Sequence, residues 1–243
     1  MKLLHTWVFC ISFFIGMLTV KGQETAITVL NQSDSLDLKE KPPLSFRFGV
    51  DLFRIIKSQA SNDFQGFEAV ADLRISEDFY IAAEVGNEKV TKQVEQVNFT
   101  TNGTYYKIGF DFNMFDNWKG MDNQVVLGLR LASSSHNQFL NSYTLLNRNP
   151  FWEDPGTKIN SGFSTGERPN LNAFWMEFVA GFKVQLIHNI YLGLSLRLNR
   201  LLSDTEPENF DNIYIPGFNK KTEENKFGAG FNYTITYRIP FKF

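Results

Sequence analysis

Residues 227–243, FGAGFNYTITYRIPFKF, alternate without a break. Phe227, Ala229, Phe231, Tyr233, Ile235, Tyr237, Ile239, Phe241 and Phe243 are apolar. Gly228, Gly230, Asn232, Thr234, Thr236, Arg238, Pro240 and Lys242 stand between them. A two-residue period gives a β-strand one apolar and one polar face. The same period recurs upstream, near 44–57, 64–76, 78–91, 103–115, 123–135, 171–187 and 190–203. Strands met one after another in this way predict an antiparallel up-and-down barrel, since closure removes the edges that an open sheet would expose. The predicted fold is therefore all-β: an eight-stranded antiparallel up-and-down transmembrane β-barrel with a filled polar lumen, spanning 44–243.

Alternation alone does not say which face looks inward. Four features turn the apolar face out. Gly49, Gly66, Gly86, Gly109, Gly128, Gly181, Gly193, Gly228 and Gly230 all fall on the polar face. Glycine weakens a solvated strand, but inside a narrow barrel it makes room for large neighbours. The same face carries Arg47, Arg74, Lys107, Arg130, Lys183, Arg197, Arg238 and Lys242 beside Asp51, Glu68, Asp72, Glu84, Asp111 and Glu177. Nearly balanced signs rich in arginine suit a paired interior network.

The connections alternate in length. Those at 76–78, 116–122 and 188–189 are short; those at 58–63, 92–102, 136–170 and 204–225 are longer. Transmembrane barrels have short periplasmic turns and longer outer loops, so both termini are expected on the periplasmic side. Tyr237, Phe241 and Phe243 gather there with Phe79, Phe115 and Trp118, as an aromatic girdle would.

The chain opens with Met1-Lys2 and an apolar run from Trp7 to Val20, followed by Lys21-Gly22-Gln23. That order reads as a secretory signal peptide over 1–22. The run is shorter than the roughly 20 residues that a spanning helix needs. Residues 23–43 are polar, without period, and close on Pro42-Pro43, so they read as a flexible periplasmic lead. Cys10 is the only cysteine and lies inside the signal run, so no disulfide is expected. A formal charge of −2 offers no basic field for nucleic acid.

Tyr237-Arg238-Ile239-Pro240-Phe241 with the terminal Phe243 resembles the C-terminal signal by which outer-membrane barrels are recognised for insertion. The strand pattern resembles small barrels of the OmpX and OmpA-membrane-domain type. The Gly22-Gln23 junction and Phe-rich strands resemble Bacteroidota outer-membrane barrel families of unknown function. These resemblances imply the bacterial outer membrane, with its lipid, its lipopolysaccharide and the barrel-insertion machinery as partners. Because such barrels carry unrelated functions, the expected role is structural or interactive, allowing an accessory subunit docked to an envelope protein. The rival functions are a lipid-modifying enzyme and a narrow pore.

Ser133, Ser134, Ser135 and His136 begin the long loop expected at 136–170. A serine beside a histidine resembles the outer-membrane lipid A deacylases, barrels with a Ser–His–acid set on the lipid-facing side. The order and flanking residues here depart from that family. A nucleophile also needs a base and an orienting acid; Glu153, Asp154 and Glu167 follow without a fixed spacing. The loop carries Phe151, Trp152 and Phe163, which suit either a recognition surface or a lid. In 204–225, Asp204, Glu206, Glu208 and Asp211 fit no calcium loop and read as solvated charge. HExxH, CxxC, GxGxxG and phosphate-loop motifs are missing. No catalytic residue, cofactor or metal is expected.

Overall fold

Alternation in the sequence becomes alternation in space. In the computed structural model, the described residues are 44–94, 97–116, 122–143, 166–205, 212–221 and 226–240. All lie in the unit Lys41–Phe243. The segments expected as a signal peptide (1–22) and a lead (23–43), with Trp118, Phe151, Trp152, Phe163, Phe241 and Phe243, fall outside them. The elements are β1 (Ser45–Asp51), α1 (Leu52–Ala60), β2 (Phe64–Arg74), β3 (Phe79–Val94), β4 (Val97–Asn113), β5 (Gln124–Tyr143), β6 (Gly166–Ile187) and β7 (Ile190–Asp204). A short hairpin, β8 (Tyr214–Ile215) and β9 (Asn219–Lys220), precedes β10 (Phe227–Pro240).

Among the described residues, eight strands close into one antiparallel ring in the order β1-β10-β7-β6-β5-β4-β3-β2. Each strand pairs with its sequence neighbour, and β1 meets β10 to close the ring. The apolar set faces outward: Phe48, Ile108, Phe110, Leu127, Leu196 and Phe231 are all exposed, Leu196 at 65% and Ile108 at 61%. The opposite face buries Arg47, Glu68, Asp72, Glu84, Lys107, Asp111, Arg130, Glu177 and Arg197. An apolar belt round a charged interior is stable in lipid and not in water. The fold is a transmembrane β-barrel.

Several boundaries differ from expectation. Strand one does not run to 57. After Leu52 the order Phe53-Arg54-Ile55-Ile56 breaks the two-residue period. Asp51 then caps a helix, its Oδ1 accepting from Phe53 N at 2.9 Å. The connection expected at 92–102 collapses, because β3 and β4 stay paired to Val94↔Val97. The loop expected at 136–170 is shorter, since β5 continues to Tyr143 and β6 begins at Gly166. Outward, Phe139 excepted, these extensions are mostly polar, while inward they bury Val90, Phe99 and Leu140. They stand beyond the belt, where the outward face meets water and carries little apolar signature.

The lumen is not filled by charge alone, as expected. The end away from the termini holds Tyr105, Ala132, Ala173, Trp175, Leu201, Ile215 and Phe218 in one apolar cluster, and Phe64, Val90, Phe99 and Tyr214 in another. Part of each comes from the β8–β9 hairpin, which folds back into the mouth. Of the acidic residues expected as solvated charge, Asp204 pairs with Lys221 at 2.8 Å, and Glu206, Glu208 and Asp211 lie outside the described residues.

Candidate functional site

Inward charges from seven of the eight ring strands, β1 to β7, meet as one continuous chain of ion pairs along the barrel. Near the termini, Arg47 Nε lies 2.6 Å from Asp72 Oδ1. Its Nη2 donates to Gln124 Oε1 at 2.9 Å, and Gln124 Nε2 donates to Tyr80 OH at 2.6 Å. Lys183 Nζ bridges Asp72 Oδ2 at 2.9 Å and Asp111 Oδ2 at 3.4 Å. Arg130 continues the chain, 2.8 Å from Asp111 Oδ1 and 3.3 Å from Glu84 Oε1.

At mid-barrel Arg197 Nη1 lies 2.6 Å from Glu84 Oε2 and 3.0 Å from Glu177 Oε2. Lys107 Nζ lies 2.9 Å from Glu177 Oε1 and 4.0 Å from Glu68 Oε2. Glu68 in turn sits 3.2 Å from Arg54 Nε and accepts from Tyr105 OH at 2.5 Å and from Asn232 Nδ2. Each carboxylate here has more than one donor, which offsets the cost of removing charge from water. The void left beside Asp72, Glu84, Asp111, Arg130, Lys183 and Arg197 is only about 40 Å³, on the scale of a single water.

Arg74 and Arg238 stand apart, at the turn end. Arg238 Nη1 pairs with Asp122 Oδ2, Arg74 Nη1 lies 3.8 Å from Asp122 Oδ1, and Arg74 Nη2 donates to Glu77 O at 2.7 Å. Asp51 joins at the other end, 3.5 Å from Arg54. Tyr237, the described residue of the expected insertion signal, is exposed on the outer wall against Phe48.

Glu88 and Arg54 are the members that sequence reasoning missed. Arg54 reaches the lumen only because α1 replaces the rest of strand one. Glu88 continues the two-residue series Glu84-Gly86-Glu88, which was available to find it. It holds Arg54 Nη1, accepts from Gly217 N at 2.7 Å and from Tyr214 OH at 3.3 Å. One buried carboxylate thus ties wall, helix and hairpin together. Burial, then the neighbouring Glu88 charge, pushes the Tyr214 hydroxyl well above its ordinary range, so it remains a donor. Tyr105 is clasped between two glycines: a Cβ at Gly86 would run into its ring, and one at Gly217 would meet it at 2.6 Å. Gly217 also has φ +82°, a conformation that favours glycine.

The serine–histidine group is split between the two faces of β5: Ser133 and Ser135 are exposed on the outward face, whereas Ser134 and His136 are buried and face the lumen, two residues apart on one strand face. Ser134 Oγ lies 3.4 Å from His136 Nδ1, and His136 Nε2 lies 3.2 Å from Asn212 Oδ1. Glu167 points outward and accepts from Asn137 Nδ2 at 2.9 Å, away from the imidazole; Glu153 and Asp154 lie outside the described residues. His136 therefore anchors the hairpin through Asn212 rather than joining an acid. Among the described residues no group of His, Cys, Asp or Glu is arranged to hold a metal ion.

The model of a domain of unknown function, DUF6048, matches residues 6–243. The chain belongs to the DUF6048 family. No curated protein matches it. Among solved structures, this family member is similar to Ail, the attachment invasion locus protein of Yersinia pestis, at TM-score 0.41 and 10% identity, over 82% of this chain and 99% of that one. Neisserial surface protein A gives TM-score 0.40 and 12% identity, over 82% and 95% of the two chains. A major outer membrane protein from Thermus thermophilus gives 0.40 and 10%, over 81% and 98%. Strand pairing, not these likenesses, establishes the ring.

Proposed function

We propose that this DUF6048 protein is a non-enzymatic, non-conducting barrel of the bacterial outer membrane with a structural or interaction role. Its termini face the periplasm, and α1 and the β8–β9 hairpin face outward. The observation that carries this reading is the closed lumen: a continuous ion-pair chain from Arg47 to Glu88, capped by a buried hairpin. A closed lumen leaves the outer surface, the lead and the outer connections as working parts. Outer-membrane lipid and lipopolysaccharide are the partners of that surface. The last strand, with Tyr237 outward, serves the insertion machinery, and an envelope protein is a further partner of an accessory subunit. The inward placement of Ser134 and His136 speaks against the lipid-modifying alternative.

The test is conductance of the full chain in planar bilayers, with the expected result that no steady open level is seen. A large, steady conductance overturns the reading. Unchanged lipid A acylation in a deletion strain is the matching expectation for the enzyme alternative, and altered acylation overturns that part.

A further inference from the structure

Above Asp51 the barrel wall lacks part of a strand. β1 pairs with β10 as far as Asp51↔Thr234 and with β2 as far as Val50↔Ala69. Beyond that level, among the described residues, no strand bridges the facing edges of β2 and β10. α1 lies there instead. Ser58 substitutes for a strand: its Oγ accepts from Gly66 N at 2.7 Å and donates to Gly66 O at 3.0 Å. On the other side Phe53 packs on the outward Phe231, ring centroids 4.3 Å apart. A helix meeting a strand edge through side chains makes a seam, not a sealed ladder.

A cavity of about 310 Å³ lies at this seam. Gly230 and Asn232 of β10, which face the lumen, line it; so do Ala229 and Phe231, which face outward. It lies between the barrel mouth and the Phe53–Phe231 pair that covers the outward side of the seam.

The cavity is cationic. Arg54, Lys107 and Arg197 on its inner side belong to the ion-pair chain. Lys57, Lys92 and Lys220 complete the lining, and among the described residues none of the three forms an ion pair. Lys57 Nζ stands 3.9 Å from the Phe64 ring centroid and Lys92 Nζ 4.5 Å from that of Tyr214. Lys92 is repelled by both Lys57 and Lys220. Glu88 attracts both Lys57 and Lys92, but it is already bonded to Arg54, Gly217 and Tyr214.

We propose that this cavity binds the phosphate-bearing headgroup of a membrane lipid that enters sideways through the seam. Three ammonium groups that form no ion pair among the described residues suit a phosphate. Phe53 and Phe231 at the outer lip continue into the apolar belt and suit the first methylenes of the chains. A free phosphate ion would gain from the lysines but not from the lip. The proposal names a partner for the non-enzymatic barrel and rests on that reading for the membrane that supplies the lipid. Lipid retention and conductance are measured separately, so either can fail while the other stands.

The test uses the full chain, purified in detergent and titrated by native mass spectrometry with three probes: bisphosphorylated lipid A, the same lipid without phosphate, and inorganic phosphate. The expected result is a one-to-one complex with the phosphorylated lipid, and binding roughly tenfold or more weaker without its phosphate. The K57Q/K92Q/K220Q variant is expected to lose a similar factor, while the corresponding Lys→Arg variant retains the complex. Folding of each variant is checked by heat-modifiable gel mobility. If the triple variant does not fold, K92Q, at an exposed rim position, serves in its place, with loss of several-fold expected. Equal binding of the dephosphorylated lipid, undiminished binding by the Gln variant, or competition by inorganic phosphate at lipid-like concentrations would overturn the proposal.

Discussion

The two halves of the lumen fill the same space by different chemistry. From Arg47 to Glu177 the filling is ionic, and every member comes from a barrel strand. Above Glu68 it is mostly apolar, around Tyr105, Trp175, Ile215 and Phe218, with Glu88 as the tie between them and Arg54. The lower half needs only alternation, because side chains of eight strands already reach across so narrow a barrel. The upper half needs extra chain: a helix where β1 stops and a hairpin from the β7–β10 connection. The difference teaches where rigidity and adaptability lie. The ionic half is cross-linked in every direction and has no movable part. The mouth is assembled from pieces that leave a seam.

The largest expected effect lies in the ionic half. Glu84 pairs with Arg197 and Arg130, and Lys107 Nζ stands 3.9 Å away. E84A leaves those cations buried without their shared carboxylate. Breaking a buried pair in this way costs about 3–5 kcal/mol, read as a loss of unfolding free energy in denaturant from lipid vesicles. A loss under about 1 kcal/mol, within the range of exposed pairs, would mean that water screens the lumen, and the contrast between the halves would disappear.

G217A probes the apolar half. The added methyl meets the Tyr105 ring at 2.6 Å, and alanine does not favour φ +82°. Overpacking and left-handed strain each cost about 1–3 kcal/mol. The cost is confined to the hairpin if the halves are independent. Limited proteolysis within 205–226 should rise, while the heat-modifiable mobility of the barrel stays unchanged. Loss of the folded band as well would show that the hairpin supports the whole ring.

The same division governs what the sequence could show. The ring, its outward belt and the inward Arg47, Asp72, Glu84, Lys107, Asp111, Arg130, Glu177, Lys183 and Arg197 all follow from a period of two. That period is visible wherever one face meets lipid. It fades in the outer parts of β3, β4 and β5, where the outward face turns polar, and there loops were expected in place of strand. Glu88 lay inside the strand expected at 78–91 and was overlooked, though its spacing from Glu84 puts it on the inward face. Ser134 and His136 likewise share a face by spacing, and that face is the lumen. Arg54 had no such signal, since its position depends on α1. The hairpin left one trace: Ile213-Tyr214-Ile215-Pro216-Gly217-Phe218 is an apolar run with a turn pair inside a polar connection. A run of that kind in a loop is a candidate for burial, but which cavity receives it is a tertiary fact.

The smallest effect tests the seam, where the two halves meet the missing strand. Ser58 Oγ accepts from Gly66 N at 2.7 Å, and its single proton is shared between Arg54 O at 2.8 Å and Gly66 O at 3.0 Å. S58A removes the hydroxyl without adding bulk. Gly66 N–H then turns to water in the adjoining cavity, so the net loss is about 1 kcal/mol, well below that of E84A. Amide exchange should speed up at Gly66, with little change at Ala69 and Ala71, which face β1. If exchange at Ala69 and Ala71 rises equally, α1 is part of the cooperative wall, and the seam closes and opens with the barrel. If it rises at Gly66 alone, the helix is an independent latch on a ring that holds its shape without it.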